Sequence, residues 1–227
     1  AQDVSRASTQ NPLILWYNLP AKLWEECLPL GNGHLGMMPS GGITLDYIGL
    51  NEGTMWSGGV QHTDNDEALK SLSEIRALLL NGDNRGAERL MYRSFTCSGG
   101  GAASPEYGCY QMFANLWIAT ELSDDVKISE YRRSLDLNEA IATTTFKANN
   151  EEHRREYFTS FSDNVAVVRY GATIPTNYKI SLTRPEHATI AVSNDHITIN
   201  GELSSGSERS GVSYYGRLEV VTDGATC

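Results

Sequence analysis

LPLGNGHLGMMPSGGITLDYIGLNEGTMWSGG, from Leu28 to Gly59, is the stretch from which the rest of the 227-residue chain can be read. Nine of its 32 residues are glycine, with apolar runs between them. Gly31-Asn32-Gly33-His34-Leu35-Gly36 has the GxGxxG spacing of a dinucleotide-binding loop. That loop must be followed by a helix whose N-terminus holds the pyrophosphate. Here Met37-Met38-Pro39-Ser40-Gly41-Gly42 follows, and proline with paired glycine stops a helix within its first turns. Ile43 to Ile48 is β-branched and alternating, so it reads as a strand. The context therefore favours tight turns and two short strands over a cofactor loop, with glycines where φ is positive or backbones approach closely.

Upstream, Leu13-Ile14-Leu15-Trp16-Tyr17 predicts a first strand, turned by Asn18-Leu19-Pro20. Downstream, Asp64 or Asp66 is placed to cap a helix from Glu67 to Leu80, with Leu69, Leu72, Ile75, Ala77 and Leu79 as its apolar positions. Asn81-Gly82 stops that helix. A second helix is expected over Arg85 to Arg93, turning Ala87, Leu90 and Met91 to a core. Cys97 to Gly108 is a loop by composition. Beyond Tyr110, alternation predicts strands at Leu116–Thr120, Ala140–Lys147, His153–Phe161, Val165–Ala172, Tyr178–Thr183, Thr189–Val192, His196–Asn200 and Val212–Thr222. The expected fold is mainly β: an antiparallel β-sandwich over residues 12–227, with a helical excursion around residues 66–93.

Net charge is −10, and no Lys/Arg cluster exceeds Arg132-Arg133 or Arg154-Arg155. Nucleic acid and anionic membrane surfaces need a basic face, so both are excluded as partners. No apolar run approaches the ~18 residues of a membrane span. Residues 1–11 are polar and read as a disordered lead-in, consistent with the stub left by signal-peptide removal and hence with export. Of the four cysteines, Cys97 and Cys109 flank a small-residue loop that a disulfide could close. The other reading leaves Cys27, Cys97, Cys109 and Cys227 as thiols; no spacing suits zinc.

Chemistry is harder to assign. No GxSxG elbow is present, and His34, His62, His153, His187 and His196 have no metal-ligand spacing. Glycoside hydrolysis needs two carboxylates facing one bond. Glu25-Glu26, Asp124-Asp125 and Glu151-Glu152 are sequence neighbours, which point to opposite faces of a strand. Glu52 stands apart, because Asn51, Glu52 and Trp56 put an amide, a carboxylate and an indole in one glycine-bounded loop. Those groups suit a sugar; alternatively, Trp56 plugs a core or an interface.

Two motifs carry a resemblance. Trp24-Glu25-Glu26-Cys27-Leu28-Pro29-Leu30-Gly31-Asn32-Gly33-His34-Leu35-Gly36 is similar to the opening "W…ALPLGNGRLG" of glycoside hydrolase family 95. Leu50-Asn51-Glu52-Gly53-Thr54-Met55-Trp56-Ser57-Gly58-Gly59 resembles that family's "LNE.T.WSGG". Further collinear matches include Tyr131-Arg132-Arg133-Ser134-Leu135-Asp136-Leu137, Arg155 to Ser160 and Gly211 to Tyr214. The resemblance implies inverting α-L-fucosidases and α-L-galactosidases, built from an N-terminal β-super-sandwich, a helical linker, an (α/α)6 barrel and a C-terminal β domain.

The family's catalytic acid and base lie in the barrel, for which this chain has no run of helical hairpins. No position here matches the catalytic motifs, so no catalytic residue, metal site or cofactor is assigned. Asn32, His34, Asn51, Glu52 and Trp56 are the candidates for contact with substrate or with the barrel. Trp16 joins Trp56 as an interface candidate. The resemblance departs at Asp46, where the family has Glu, and at Met112-Phe113-Ala114-Asn115. It also implies further sandwich strands beyond Cys227, whose loss would leave an open edge. The expectation is a non-catalytic N-terminal domain whose partner is a catalytic barrel. A stand-alone sugar-binding module, a truncated product and an enzyme using Glu52 are the rivals.

Overall fold

The computed structural model describes residues 13–61, 63–98 and 101–223. The lead-in, His62 and Cys227 lie outside these described residues. The chain divides into two compact units: Ala1–Met55 with Gln111–Gly201 and Tyr215–Cys227, and Trp56–Tyr110 with Glu202–Tyr214.

The larger unit holds two five-stranded antiparallel sheets. One runs β1 (Ile14–Tyr17), β6 (Ile128–Asp136), β7 (Ile141–Ala148), β8 (Glu151–Ser160), β9 (Val165–Ala172). The other runs β10 (Tyr178–Thr183), β5 (Ala114–Thr120), β4 (Leu45–Glu52), β3 (Leu35–Pro39), β2 (Leu30–Gly31). Period-two burial decides which face turns inward: β5 and β7 alternate strictly between buried and half-buried residues. Met37, Ile48, Leu116, Ile118, Leu135, Phe146 and Tyr157 fill the space between the sheets. Full burial of each such side chain stabilises by about 1.5–3 kcal/mol. Asn149 and Asn164 take φ of 58° and 51° at the β7–β8 and β8–β9 turns, a conformation asparagine tolerates better than most residues.

The GxGxxG segment is a β-hairpin: Leu30 pairs with Met37 and Gly31 with Gly36, so a strand follows the glycines where a nucleotide loop needs a helix. The antiparallel β-sandwich expectation holds. One central strand escaped the sequence reading, since the buried positions of β6 are Arg133 and Leu135, a charge beside a single apolar residue. It also breaks register between Ser129 and Arg132, where Glu130 adopts φ of 53°. The last expected strand is shorter than Val212–Thr222: β13 covers Ser213–Glu219. It closes a three-stranded sheet ordered β11 (Thr189–Val192), β12 (His196–Glu202), β13.

The smaller unit contains α1 (Glu67–Leu80) and α2 (Asn84–Ser94). Ile75, Ala87 and Leu90 form its small core, with Leu78 packed against them. Leu69 and Leu79 are exposed and Leu72 only half-buried, so the expected apolar stripe of α1 narrows to Ile75 and Leu78. Met91 is exposed as well. The cap also differs: Asp66 occupies the N-cap position without a side-chain bond, and Asn65 Oδ1 accepts from Glu67 N at 3.1 Å. Asp83 caps α2 by accepting from Gly86 N at 2.9 Å.

Candidate functional site

Four of the five candidate contact residues gather at one end of the β2–β3–β4 ladder. Gly36 pairs with Asn51, Leu35 with Glu52, and Gly53 N donates to His34 O at 2.8 Å. Asn32 is a structural lock. Its Oδ1 accepts from His34 N and Leu35 N at 2.9 and 2.7 Å, closing the hairpin turn. Its Nδ2 donates to Ser160 O at 2.7 Å and Asn164 Oδ1 at 3.1 Å, joining that turn to the β8–β9 turn of the opposite sheet. Glu52 folds back on its own loop, with Oε2 accepting from Thr54 N and Thr54 Oγ1 at 2.8 and 2.6 Å. His34 is exposed.

Trp56 lies in the smaller unit, where it bridges to Tyr110 with rings 6.1 Å apart and edge-on. It is 50% exposed, so it does not plug a core. The glycines after it are set by close approach: Ser57 N and Cys109 O bond at 2.9 Å, and a Cβ on Gly108 would overlap the Ser57 carbonyl oxygen. Cys97 and Cys109 are both exposed with no bridge between them, which is the second of the two readings, that of thiols.

Trp16, on edge strand β1, is 57% exposed beneath the Arg132 guanidinium, 4.9 Å from its ring centroid. Leu19, Leu23 and Trp24 in the following segment are exposed too.

The strongest polar constellation is one the sequence reading did not single out. Asp46, on the inner face of β4, is fully buried. It accepts from Ser40 Oγ at 2.9 Å, from Gly42 N at 3.0 Å, and from the hydroxyls of Tyr157 and Tyr170. Arg155, 1% exposed, sits 3.8 Å from Asp46 and donates to Gly42 O, Ile43 O and Thr120 Oγ1. Its guanidinium also lies over the Phe146 and Tyr170 rings. Burial, reinforced by the Asp46 charge, pushes the Tyr157 phenol well above its ordinary range, and burial does the same to Tyr170.

This cluster clamps the Gly41-Gly42 turn. A Cβ on Gly42 would overlap the Leu45 carbonyl oxygen, and Gly41 takes φ of 68° against the Tyr131 hydroxyl. Sealed from solvent and fully hydrogen-bonded, it is a structural staple and cannot bind substrate. The signal available in sequence was parity, since Asp46 shares the inward face of β4 with Ile48.

A second feature of β8 is different in kind. His153 is 4% exposed and stacked flat on Phe146, centroids 4.8 Å apart. Burial, and secondarily the Arg155 charge, holds its pKa below the ordinary value, so the ring is neutral at pH 7. It lines a cavity of about 250 Å³ at one end of the sandwich.

Comparison with known proteins follows the same outline. The family described as "Glycosyl hydrolase family 65, N-terminal domain" matches residues 15–227. The chain belongs to that family. Relatives of this N-terminal domain include "Alpha-L-fucosidase 2" of Arabidopsis thaliana, 30% identical over 189 residues, which cover 82% of this chain and 21% of that protein. "Probable alpha-fucosidase A" of Aspergillus niger is 29% identical over 228 residues, 93% of this chain and 27% of that protein. Its Aspergillus oryzae namesake is 28% identical over 180 residues, 75% and 23% respectively. The glycosyl hydrolase domain thus spans about a fifth to a quarter of the length of these curated relatives.

Proposed function

We propose that this chain is the non-catalytic N-terminal β-sandwich of a larger, family-95-like glycosidase. The complete enzyme would hydrolyse terminal α-L-fucosyl or α-L-galactosyl residues with inversion, using an acid and a base from a separate barrel domain. The observation carrying this reading is the alignment with three proteins named as fucosidases, each of which has most of its length outside the matched region.

The internal chemistry supports it. Glu52 bonds to Thr54 in its own turn and Asp46 is sealed in the core, which supports placing the acid and base of hydrolysis elsewhere. Trp16, Leu19, Leu23 and Trp24, large apolar side chains of one short segment, are all exposed, which supports docking of that segment against the barrel. Export belongs to the same proposal and rests on the polar lead-in alone.

The test is an assay of the longer protein carrying this domain on α-L-fucosylated and α-L-galactosylated oligosaccharides. Release of free L-fucose or L-galactose with inverted anomeric configuration is expected. A longer protein that cleaves neither linkage removes the proposal.

A further inference from the structure

The cavity at His153 is built from three loops that meet at one end of the larger unit: the segment after β5, the β7–β8 turn and the β9–β10 connection. At about 250 Å³ it falls just below the range of ~300–1,000 Å³ that holds drug-sized ligands, which suits one ring-sized molecule. His153 forms part of its lining. Among the described residues its ring nitrogens have no hydrogen-bond partner, although 96% of the residue is buried (4% exposed). Among the described residues no buried side-chain nitrogen or oxygen lacks a partner, so the unpaired ring nitrogens are reached from the cavity rather than sealed in the core. An imidazole that opens on a cavity can bond the ligand or water that fills it.

Exposed and half-buried polar groups rim the cavity around it. Glu121 Oε2 accepts from Asn177 Nδ2 at 3.0 Å, and Glu151 Oε2 accepts from Thr173 Oγ1. Asn149 Oδ1 accepts from Lys127 N at 3.1 Å. Each partner holds a side chain in place and leaves its other polar atom, Glu121 Oε1, Glu151 Oε1 or Asn149 Nδ2, without a partner among the described residues. These atoms offer two carboxylate acceptors and one amide donor. Val126, Ile174 and Pro175 add apolar lining beside them.

Among the described residues no lysine or arginine lines the cavity, so they offer an anion no counter-charge there. A molecule whose hydroxyls both donate and accept, on a ring with an apolar C–H face, satisfies all of these groups together. We propose that this cavity is an accessory binding site for a single neutral pyranose residue, with His153 at its base and Glu121, Glu151 and Asn149 reading the hydroxyls. The choice of a sugar rests on the glycosidase reading above. The site would hold a chain of sugars by one residue.

The test is a two-dimensional ¹H–¹⁵N NMR titration of the ¹⁵N-labelled 227-residue chain with L-fucose, with D-galactose and with methylammonium chloride. A sugar is expected to give saturable shifts at the amides of Glu121, Asn149, Glu151 and Asn177 and at the His153 ring. His153→Phe, which keeps a ring on Phe146, should weaken that binding by about tenfold or more. Glu151→Gln, at a half-buried rim position, should weaken it several-fold and serves if the histidine variant does not fold. The inference is overturned by the absence of saturable shifts with either sugar, by shifts with methylammonium alone, or by variants that bind as the parent does. Absence of shifts alongside an active longer protein removes this inference only. Pocket shifts alongside an inactive longer protein remove only the glycosidase reading.

Discussion

Arg155 and His153 are neighbouring inward positions on β8, both at least 95% buried, yet they are treated in opposite ways. Arg155 meets a carboxylate, two carbonyl oxygens and a hydroxyl, with an aromatic ring on either side. Its neighbour has one ring stack, and its nitrogens open to a cavity. One strand thus carries a sealed polar staple and, two residues away, a polar ring that opens on a cavity. The difference separates residues kept for folding from residues available for binding, although both are polar and buried.

Breaking the staple should have the largest effect. Arg155→Met leaves Asp46 buried without its cation and should cost about 3–5 kcal/mol, read from urea unfolding. Gly42→Ala drives a methyl into the Leu45 carbonyl, and a loss of about 2–3 kcal/mol is expected by the same method. Raising the pH should loosen the staple more gently. Tyr157 and Tyr170 have folded pKa values above the unfolded value of about 10. Their contribution is therefore fully present below pH ~10 and is lost as pH rises beyond it, because only the unfolded chain ionises there. Ultraviolet phenolate absorbance should show both tyrosines titrating only with unfolding; two phenols titrating reversibly in the native state near pH 10 would break the contrast.

The cavity side should be almost indifferent. His153→Phe is close to volume-conserving and should change stability by less than about 1.5 kcal/mol at pH 8. Its signature is instead a pH dependence. The folded pKa of His153 lies below the unfolded value of about 6.5, so its contribution is fully present above that pH and is lost as pH falls through the unfolded value and then the folded one. Subtracting the variant's acid profile from the parent's should expose that slope. Parallel profiles would mean that His153 keeps its proton in the fold, and the distinction between the two positions would fail.

How much of this was legible beforehand follows from the same parity. Strands such as β5 and β7 were readable because apolar residues sit at alternate positions. The inner face of β8 is His153, Arg155 and Tyr157 while Phe158 points outward, which inverts the signal and hides both the staple and the cavity. β6 was lost for the same reason, through inward Arg133 and a bulge. The Leu69 to Leu79 stripe misled in the opposite direction, because apolarity alone does not say that a helix face is covered. The Gly31–Gly36 turn was readable because proline and paired glycine forbid the helix that a nucleotide loop needs. Asn32 and Glu52 stand out in the sequence, but Asn32 locks its own turn and ties it to the β8–β9 turn while Glu52 bonds Thr54, and no sequence spacing distinguishes a turn lock from a ligand contact.

The central claim is that this domain contributes structure and binding while catalysis lies elsewhere. The most direct measurement is sugar release by the 227-residue chain alone, incubated with 2′-fucosylated lactose and followed by chromatography of free L-fucose. The account predicts no release above the uncatalysed background. Turnover by this chain, abolished by Glu52→Gln, would contradict it.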